Sequence, residues 1–261
     1  MRILLYSIII NLLLINTSFS QEKLSTPLNP ADNPNDQELG LFIGLGANSM
    51  DGTLYVDCET CLFNDASALG WELGLTYRYQ IKNGLKAGIS AGITDLSIEG
   101  SYNETVPEII ENESYPIPYK HTANAGLTAA LFTPYIQYEF MEYIFVRSGI
   151  STAYIFNKEL EHTMTLERRR IITNDGKVID LRLNDSFSNS ITFEDNEFRD
   201  FKDINFYIPI QIGAKIPLSD YSGLSPSFIF NLPLNSTSSF NEGYKIINWR
   251  ILFEFSYYLK K

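Results

Sequence analysis

Two segments of the chain alternate between apolar and polar residues, and this alternation restricts the possible folds more than any other feature. In Gly70–Ile81, large apolar side chains alternate with Glu, Gly, Thr, Arg and Gln. The segment Ile247–Leu259 repeats the pattern with mostly aromatic residues on its apolar side. Because successive side chains of a β-strand point to opposite faces, both segments are predicted strands with one apolar and one polar face.

Further segments alternate less perfectly and bring the total to about eight predicted strands. Each is near or above the ~9–11 residues that a tilted strand needs to cross a bilayer. These segments are Leu39–Asn48, Leu85–Thr94, Thr128–Phe140, Tyr143–Phe156, Ile204–Ile216 and Gly223–Leu234.

The connections between these strands alternate between short and long. Three are short turns, at Lys82–Gly84, Met141–Glu142 and Pro217–Ser222. Four are long and polar, at about residues 50–68, 100–121, 158–203 and 235–244. Short turns at one end and long loops at the other are typical of outer-membrane barrels, with the short turns on the periplasmic side. The segment 158–203 contains a predicted hairpin, so the strand count is eight or ten.

The N-terminus predicts export. Residues 1–20 read as a signal peptide, with Arg2, an apolar run over Ile3–Ile15, and small residues before Gln21. The run is too short to span a bilayer as a helix, although a membrane anchor is the alternative interpretation. Residues 21–38 form a polar, proline-containing periplasmic lead-in, and residues 39–261 form the barrel domain. The predicted location is the cell outer membrane.

The size of the apolar side chains indicates which face of the strands contacts lipid. Eight alternating strands could also form a soluble lipocalin-like barrel or a sandwich, with the apolar face inside. The rings of Trp71, Tyr77, Phe228, Trp249 and Phe253 would overfill so narrow an interior. The opposite face carries glycines and charges of both signs, which suit a narrow lumen. We therefore expect the aromatic face to contact acyl chains.

The charged residues of the strands are expected to point into the lumen. A lipid-facing Arg or Lys near the midplane costs roughly 2–4 kcal/mol, and an unpaired buried charge is also costly, so these residues should pair. The pairs either fill the lumen or line a gated ion path. The predicted lumen residues are Glu72, Arg78, Lys86, Glu139, Arg147, Lys215, Arg250 and Glu254.

Together, the signal peptide, the alternation, the loop asymmetry and the aromatic last strand, Trp249–Leu259, resemble the small outer-membrane β-barrel proteins, the OmpA/OmpX-like and PorT-like barrels. The resemblance covers residues 39–259. It implies an all-β fold with one antiparallel, up-and-down transmembrane barrel, embedded in outer-membrane lipid and lipopolysaccharide after assembly by the barrel-insertion machinery. Such families include adhesins, secretion accessories and a few lipid-modifying enzymes, so location is implied more than activity. The non-aromatic end, Leu259–Lys261, departs from the usual terminal residue.

Few residues indicate chemistry. Cys58 and Cys61 form a CxxC in the first long loop, which predicts a disulfide; without further ligands it is only a weak zinc signal. The two histidines, His121 and His162, are candidate general bases of a hydrolase. Exposed loop histidines are the simpler interpretation, because no spacing to a nucleophile identifies a dyad.

Charge limits the partners. The formal net charge of −11 argues against nucleic acid, because neutralising phosphates needs clustered Lys and Arg. The run Arg168, Arg169 and Arg170 in the longest loop is a candidate contact for lipopolysaccharide phosphates, or else a solvated strand edge. We predict no catalytic residue, cofactor or metal.

The sequence therefore predicts a structural or interaction protein of the outer membrane, with long surface loops and a lumen plugged by glycines and ion pairs. The alternatives are a lipid- or peptide-hydrolysing enzyme with a loop histidine as base, and a narrow pore. The ligand of the surface loops is not indicated by any motif.

Overall fold

A computed structural model describes residues 37–56, 61–140, 143–183, 188–193, 198–240 and 243–259. These residues contain no helix that is long and apolar enough to span a membrane. They form the strands β1 (Gln37–Gly52), β2 (Leu54–Tyr55), β3 (Leu62–Phe63), β4 (Ser67–Lys82), β5 (Leu85–Asp95), β6 (Ile98–Ile110), β7 (Glu113–Phe140), β8 (Ile144–Gly149), β9 (Ser151–Leu166), β10 (Arg170–Ile172), β11 (Val178–Asp180), β12 (Ser190–Phe193), β13 (Ile204–Ala214), β14 (Ile216–Ser219), β15 (Ser222–Pro233) and β16 (Tyr244–Leu259).

Antiparallel pairing closes the strands into a ring with eight positions. The order around the ring is β1, β4, β5, β7, β8 with β9, β13, β15 and β16. The first and last strands close it along their whole length, from Gln37 opposite Leu259 to Gly52 opposite Tyr244. β8 and β9 share one position, interrupted at Ile150. The predicted up-and-down barrel is confirmed, and closure leaves no unpaired edge in its wall.

The wall presents an apolar outer face and a polar inner face. On β4, Leu75 is 62% exposed, whereas Thr76 and Arg78 on the other face are 2% and 1% exposed. This is the arrangement of a transmembrane barrel and the reverse of a soluble one. Inside, the space is tight, because a Cβ added to Gly88 would lie 2.5 Å from the Tyr135 ring.

The short turns lie where the sequence predicts them, with small differences. Asn83 and Gly84 form the turn between β4 and β5, and Gly84 has a φ of 75°. The predicted turn Pro217–Ser222 is shorter, because β14 pairs with β15 and leaves only residues 220–221 in the turn. The turn Met141–Glu142 lies outside the described residues.

Two of the predicted long loops are largely strands that continue the wall. β7 is 28 residues long, and its first half pairs with β6, while β9 and then β12 continue the sheet on the other side. We call the part of β6, β7, β9 and β12 beyond the apolar wall the extension. Residues 100–121 read as a loop because they are polar, yet they are rich in Tyr, Thr, Val and Ile, which favour strands.

A hairpin covers the inner face of the extension. β10 and β11 pair through Ile171 and Ile179, and the turn between them contains Gly176 with a φ of 84°. The predicted hairpin is present, but its paired arms are shorter than the predicted Met164–Thr173 and Lys177–Leu183. Its apolar side chains pack on the sheet in a buried cluster of Ile117, Tyr119, Leu166 and Ile171.

A β-bulge in β9 decides which residues of this strand face inward. Thr128 of β7 pairs with Asn157 and Ala129 pairs with Ile155, so Phe156 is an extra residue. Inward positions are odd-numbered before the bulge, as at Ala153, and even-numbered after it, as at His162.

Candidate functional site

Glu254 lies at the centre of a buried cluster of charges in the lumen. Its Oε1 is 2.7 Å from Arg78 Nη2, and its Oε2 is 3.2 Å from Arg147 Nη1. Arg147 Nη2 also donates a hydrogen bond of 2.8 Å to Gln137 Oε1. Arg78 Nη2 lies 2.9 Å from Glu38 Oε2. The two arginines are thus held by carboxylates from strands on both sides of the seam where the barrel closes.

The sequence analysis missed Glu38, because it placed this residue in the lead-in that precedes the barrel. Glu38 is in β1, and extending the alternation of Gly40 and Phe42 by one step places it on the inner face. Its carboxylate also pairs with Lys86 and lies 3.9 Å from Lys215 Nζ. The alternation of inward and outward residues in this strand would have identified Glu38 as an inward residue from the sequence alone.

A second group of charges continues the cluster toward the short turns. Lys86 Nζ lies 2.9 Å from Glu139 Oε1, and Lys215 pairs with the same carboxylate. Lys86 is buried, whereas Glu139 and Lys215 are partly exposed at the end of the lumen.

Glu72 and Arg250 are near enough to attract each other, but among the described residues neither lies within ion-pair distance of an opposite charge. The Arg250 guanidinium instead donates to oxygens of the wall, among them Asn48 Oδ1 at 2.6 Å and the carbonyl of Asp95 at 2.7 Å. Glu72 is 3% exposed and lines two cavities, one shared with Glu254 and one on its other side. Carbonyl oxygens thus accept the hydrogen bonds of the Arg250 guanidinium, whereas carboxylate oxygens lie against the Arg78 guanidinium.

Above the charges, the lumen is filled by apolar residues that the sequence analysis did not expect there. The first long connection folds inward and contributes Leu54, Val56 and Phe63, each 1% exposed. They pack against inward residues of the wall, including Leu127 and Ile246. The sequence analysis missed them because, in a polar loop, no pattern indicates which apolar side chains are buried.

The two histidines come together in the extension. His121 Nδ1 lies 3.1 Å from His162 Nε2, and the rings are 6% and 5% exposed, so the expectation of exposed loop histidines is wrong. Glu104 Oε2 lies 3.6 Å from His121 Nε2. Tyr102 stacks on His121, and Phe193 stacks on His162. Burial lowers the pKa of both histidines; Glu104 partly offsets this for His121, and His121 lowers the pKa of His162 further.

The hydroxyl and carboxylate groups that are near these histidines in sequence do not join them in space. Ser114 is exposed beside the turn between β6 and β7, and Ser151 bonds with Thr133 in the lumen at 2.7 Å. Glu159 and Glu161 are exposed, on the opposite face of β9 from His162. None of these four residues is placed to form a catalytic dyad.

Cys61 lies beside the histidine pair, with Sγ 3.9 Å from His162 Nε2. It is not a free thiol. Cys58 lies outside the described residues, so the disulfide between the two stays a prediction.

The arginine run follows the end of β9 and leads into the β10–β11 hairpin, next to the point where the Glu167 N–H donates to the Pro118 carbonyl of β7. Arg168 follows Phe156, an exposed ring of the wall, by about 12 residues, or roughly 40 Å along a strand. Arg170 Nε lies 2.7 Å from Asp180 Oδ1 across the hairpin, and all three arginines are exposed. The run is therefore exposed to solvent beyond the apolar wall.

No protein-family model and no curated protein matches this sequence. Several solved structures are similar. They include Ail, the attachment invasion locus protein of Yersinia pestis (11% identity, 85% of this chain and 99% of that one, TM-score 0.33). The outer membrane protein OprG from Pseudomonas aeruginosa matches at 11% identity over 84% and 94%, with a TM-score of 0.31. The outer membrane protease OmpT from Escherichia coli matches at 12% identity over 91% and 99%, with a TM-score of 0.29.

Two of these neighbours, OprG and OmpT, are outer-membrane proteins. At such low identities and TM-scores, the barrel assignment rests on the strand pairing and on the two faces of the wall. The neighbours include a protease, so they do not indicate one activity.

Proposed function

We propose that this chain is an outer-membrane protein that works by binding a partner outside the cell, and that its lumen is plugged. The observation that carries the proposal is the extension. Its four strands continue the wall beyond the apolar surface, and the β10–β11 hairpin gives them a buried core of their own. A rigid scaffold that holds a surface away from the membrane is suited to recognition.

Support for a plugged lumen comes from two successive layers inside the barrel. The charged cluster around Glu254 joins opposite sides of the wall, and the apolar cluster around Phe63 lies above it. An ion would have to separate paired charges and then cross an apolar layer, and both steps are costly.

The outer-membrane location rests on the apolar belt and on the signal peptide that residues 1–20 predict. The belt includes Leu45, Leu75, Ile136, Phe253 and Tyr257, which are 49–67% exposed. Such a surface is stable against acyl chains and not against water.

Conductance in planar lipid bilayers tests the plugged lumen. We expect the mature protein to insert without opening a steady channel, and a general porin in the same bilayer shows that the assay detects one. A stable open level for the wild-type protein would contradict the proposal and favour the narrow pore.

Binding assays test the surface at the far end of the extension. Large apolar side chains there are strongly exposed on both sides, namely Ile109 (79%) on the outer face of β6, and Ile172 (71%) and Val178 (58%) on the side of the hairpin that faces away from the sheet. Large exposed apolar side chains next to charged ones suit a protein partner. We expect cells that display the wild-type barrel to adhere to a protein-coated surface, and the triple serine variant at these positions to lose that adhesion. Equal adhesion by both would contradict this use of the surface.

The lipopolysaccharide contact is a separate proposal for Arg168 and Arg169. Purified lipopolysaccharide should bind the wild type more tightly than the double glutamine variant, and salt should remove the difference. Lys158→Gln is the matched control, because Lys158 is also cationic and on the extension but is paired with Asp203 at 2.9 Å. No difference between wild type and the double variant would exclude this contact.

A further inference from the structure

His121 and His162 hold two ring nitrogens at nearly the separation that one bound metal ion would impose. His121 Nδ1 and His162 Nε2 are 3.1 Å apart, and the ring centroids are 5.3 Å apart. Two imidazole nitrogens that bind one tetrahedral zinc ion at about 2.0–2.1 Å are about 3.3 Å apart. We propose that these two nitrogens form a site for a divalent transition metal ion such as Zn²⁺, the class of ion that imidazole ligands prefer.

The other nitrogen of His121 supports this assignment. Glu104 Oε2 lies 3.6 Å from His121 Nε2. A metal-binding histidine usually directs its second N–H to a carboxylate, which fixes the tautomer and leaves the first nitrogen unprotonated. At 3.6 Å Glu104 makes an electrostatic contact rather than a hydrogen bond, and it favours the tautomer that leaves the lone pair of His121 Nδ1 available to an ion.

The surrounding rings hold the two imidazoles in place. Tyr102 stacks on His121 with centroids 4.9 Å apart, and Phe193 stacks on His162 at 5.5 Å. Phe63 meets the edge of His162 at 6.1 Å. Ligands whose orientation is already fixed lose less conformational freedom when an ion binds.

An ion can reach the pair because its flanks are partly open. The side chain of Glu104 is 39% exposed, and Phe193 is 44% exposed. Cys61 Sγ, although 3.9 Å from His162 Nε2, is not a free thiol and is not counted as a ligand. With two protein ligands, the remaining coordination positions go to water.

Zinc titration of the mature, folded protein in detergent tests the site, after a chelator has removed bound metal. We expect one Zn²⁺ per chain by calorimetry. His121→Gln and His162→Gln should each weaken binding at least tenfold, and Glu104→Gln should weaken it about tenfold, as expected for a carboxylate behind a ligand. Glu161→Gln is the matched control, since Glu161 is exposed on the other face of the same strand and should leave binding unchanged.

Spectroscopy of the wild-type protein gives a readout that does not depend on the folding of variants. Bound Cu²⁺ should show electron paramagnetic resonance splitting from two nitrogen ligands. If the two nitrogens merely share a proton in an N–H···N hydrogen bond, the wild type will bind no stoichiometric Zn²⁺. That result, or equal binding by the double histidine variant, would overturn the proposal.

Discussion

Arg78 and Glu254 meet across the seam region of the barrel, with Arg78 Nη2 2.7 Å from Glu254 Oε1 and both side chains at most 2% exposed. The same carboxylate serves Arg147 through its other oxygen. Arg78 also has the carboxylate of Glu38, whereas Glu254 is the one acidic partner of Arg147 among the described residues. The contact ties β16 to β4 and β8 through the interior, in addition to the pairing within the wall.

Removing this carboxylate should strongly destabilise the barrel. Glu254→Ala leaves two buried guanidinium groups short of a partner, and we expect a loss of about 3–5 kcal/mol in the free energy of unfolding. Glu254→Gln keeps the shape and part of the hydrogen bonding, so it should cost less. Urea unfolding from lipid vesicles measures both, and a change of under 1 kcal/mol for the alanine variant would show that the cluster is not structural.

A charge introduced on the apolar belt should cost more near its middle than near its rim. Leu75 lies midway along β4 and is 62% exposed, whereas Leu69 is near the end of that strand and is 84% exposed. We expect Leu75→Arg to cost about 2–4 kcal/mol and Leu69→Arg about 0–1 kcal/mol. The same unfolding assay separates them, and equal costs would contradict the position of the belt.

Crowding inside the lumen predicts different outcomes for two Gly→Ala changes. In Gly88→Ala the new methyl would meet the Tyr135 ring at 2.5 Å, whereas in Gly126→Ala its nearest neighbour would be Glu159 Cβ at 3.7 Å. Overpacking costs about 1–3 kcal/mol, so Gly88→Ala should be destabilising. Gly126→Ala should be tolerated. Thermal gel-shift curves of the folded barrel would show the contrast, and its absence would mean that the ring moves aside freely.

Asp175, in the turn of the β10–β11 hairpin, should titrate at an unusually low pH. Its pKa is lowered first by a hydrogen bond from the Thr173 hydroxyl and then by one from the backbone N–H of Lys177. A lowered carboxyl pKa means that the turn is stabilised above the ordinary value of 3.8 and loses that support as pH falls through the folded pKa. Nuclear magnetic resonance should find that Thr173→Val raises the pKa toward 3.8. An unchanged pKa would exclude the hydroxyl as its cause.

The fold was predictable wherever a strand has two chemically different faces. β4 alternates without interruption, and β16 does so over most of its length with Leu252 as an apolar inward residue, so their strands and most of their inward residues follow from period two. The extension was not predictable in this way, because residues 100–121 mix polar and apolar side chains on both faces. In the extension, strand formation depends on pairing with a neighbouring strand, and local sequence patterns do not reveal which strands pair.

The site residues also divide into features that the sequence predicts and features that it does not. The inward positions of Arg78, Arg147 and Glu254 follow from the alternation along each strand. Their ion-pair partners do not, because these depend on which residues lie opposite one another across the lumen. His162 faces inward only because Phe156 bulges, and that changes the parity halfway along β9. The histidine pair joins residues 41 apart in the sequence, so no local motif could indicate it.

The length of β7 fixes the height at which this protein can make contact. Its 28 residues belong to the wall at one end and to the far tip at the other, without an intervening hinge in the described strand. A ligand captured at that tip would be held at a set distance and orientation, tens of ångströms from the bilayer by the rise of an extended chain. A rigid extension of this kind does not lose chain flexibility when a ligand binds at its tip. Binding there would therefore cost less conformational entropy than binding at the end of a flexible stalk.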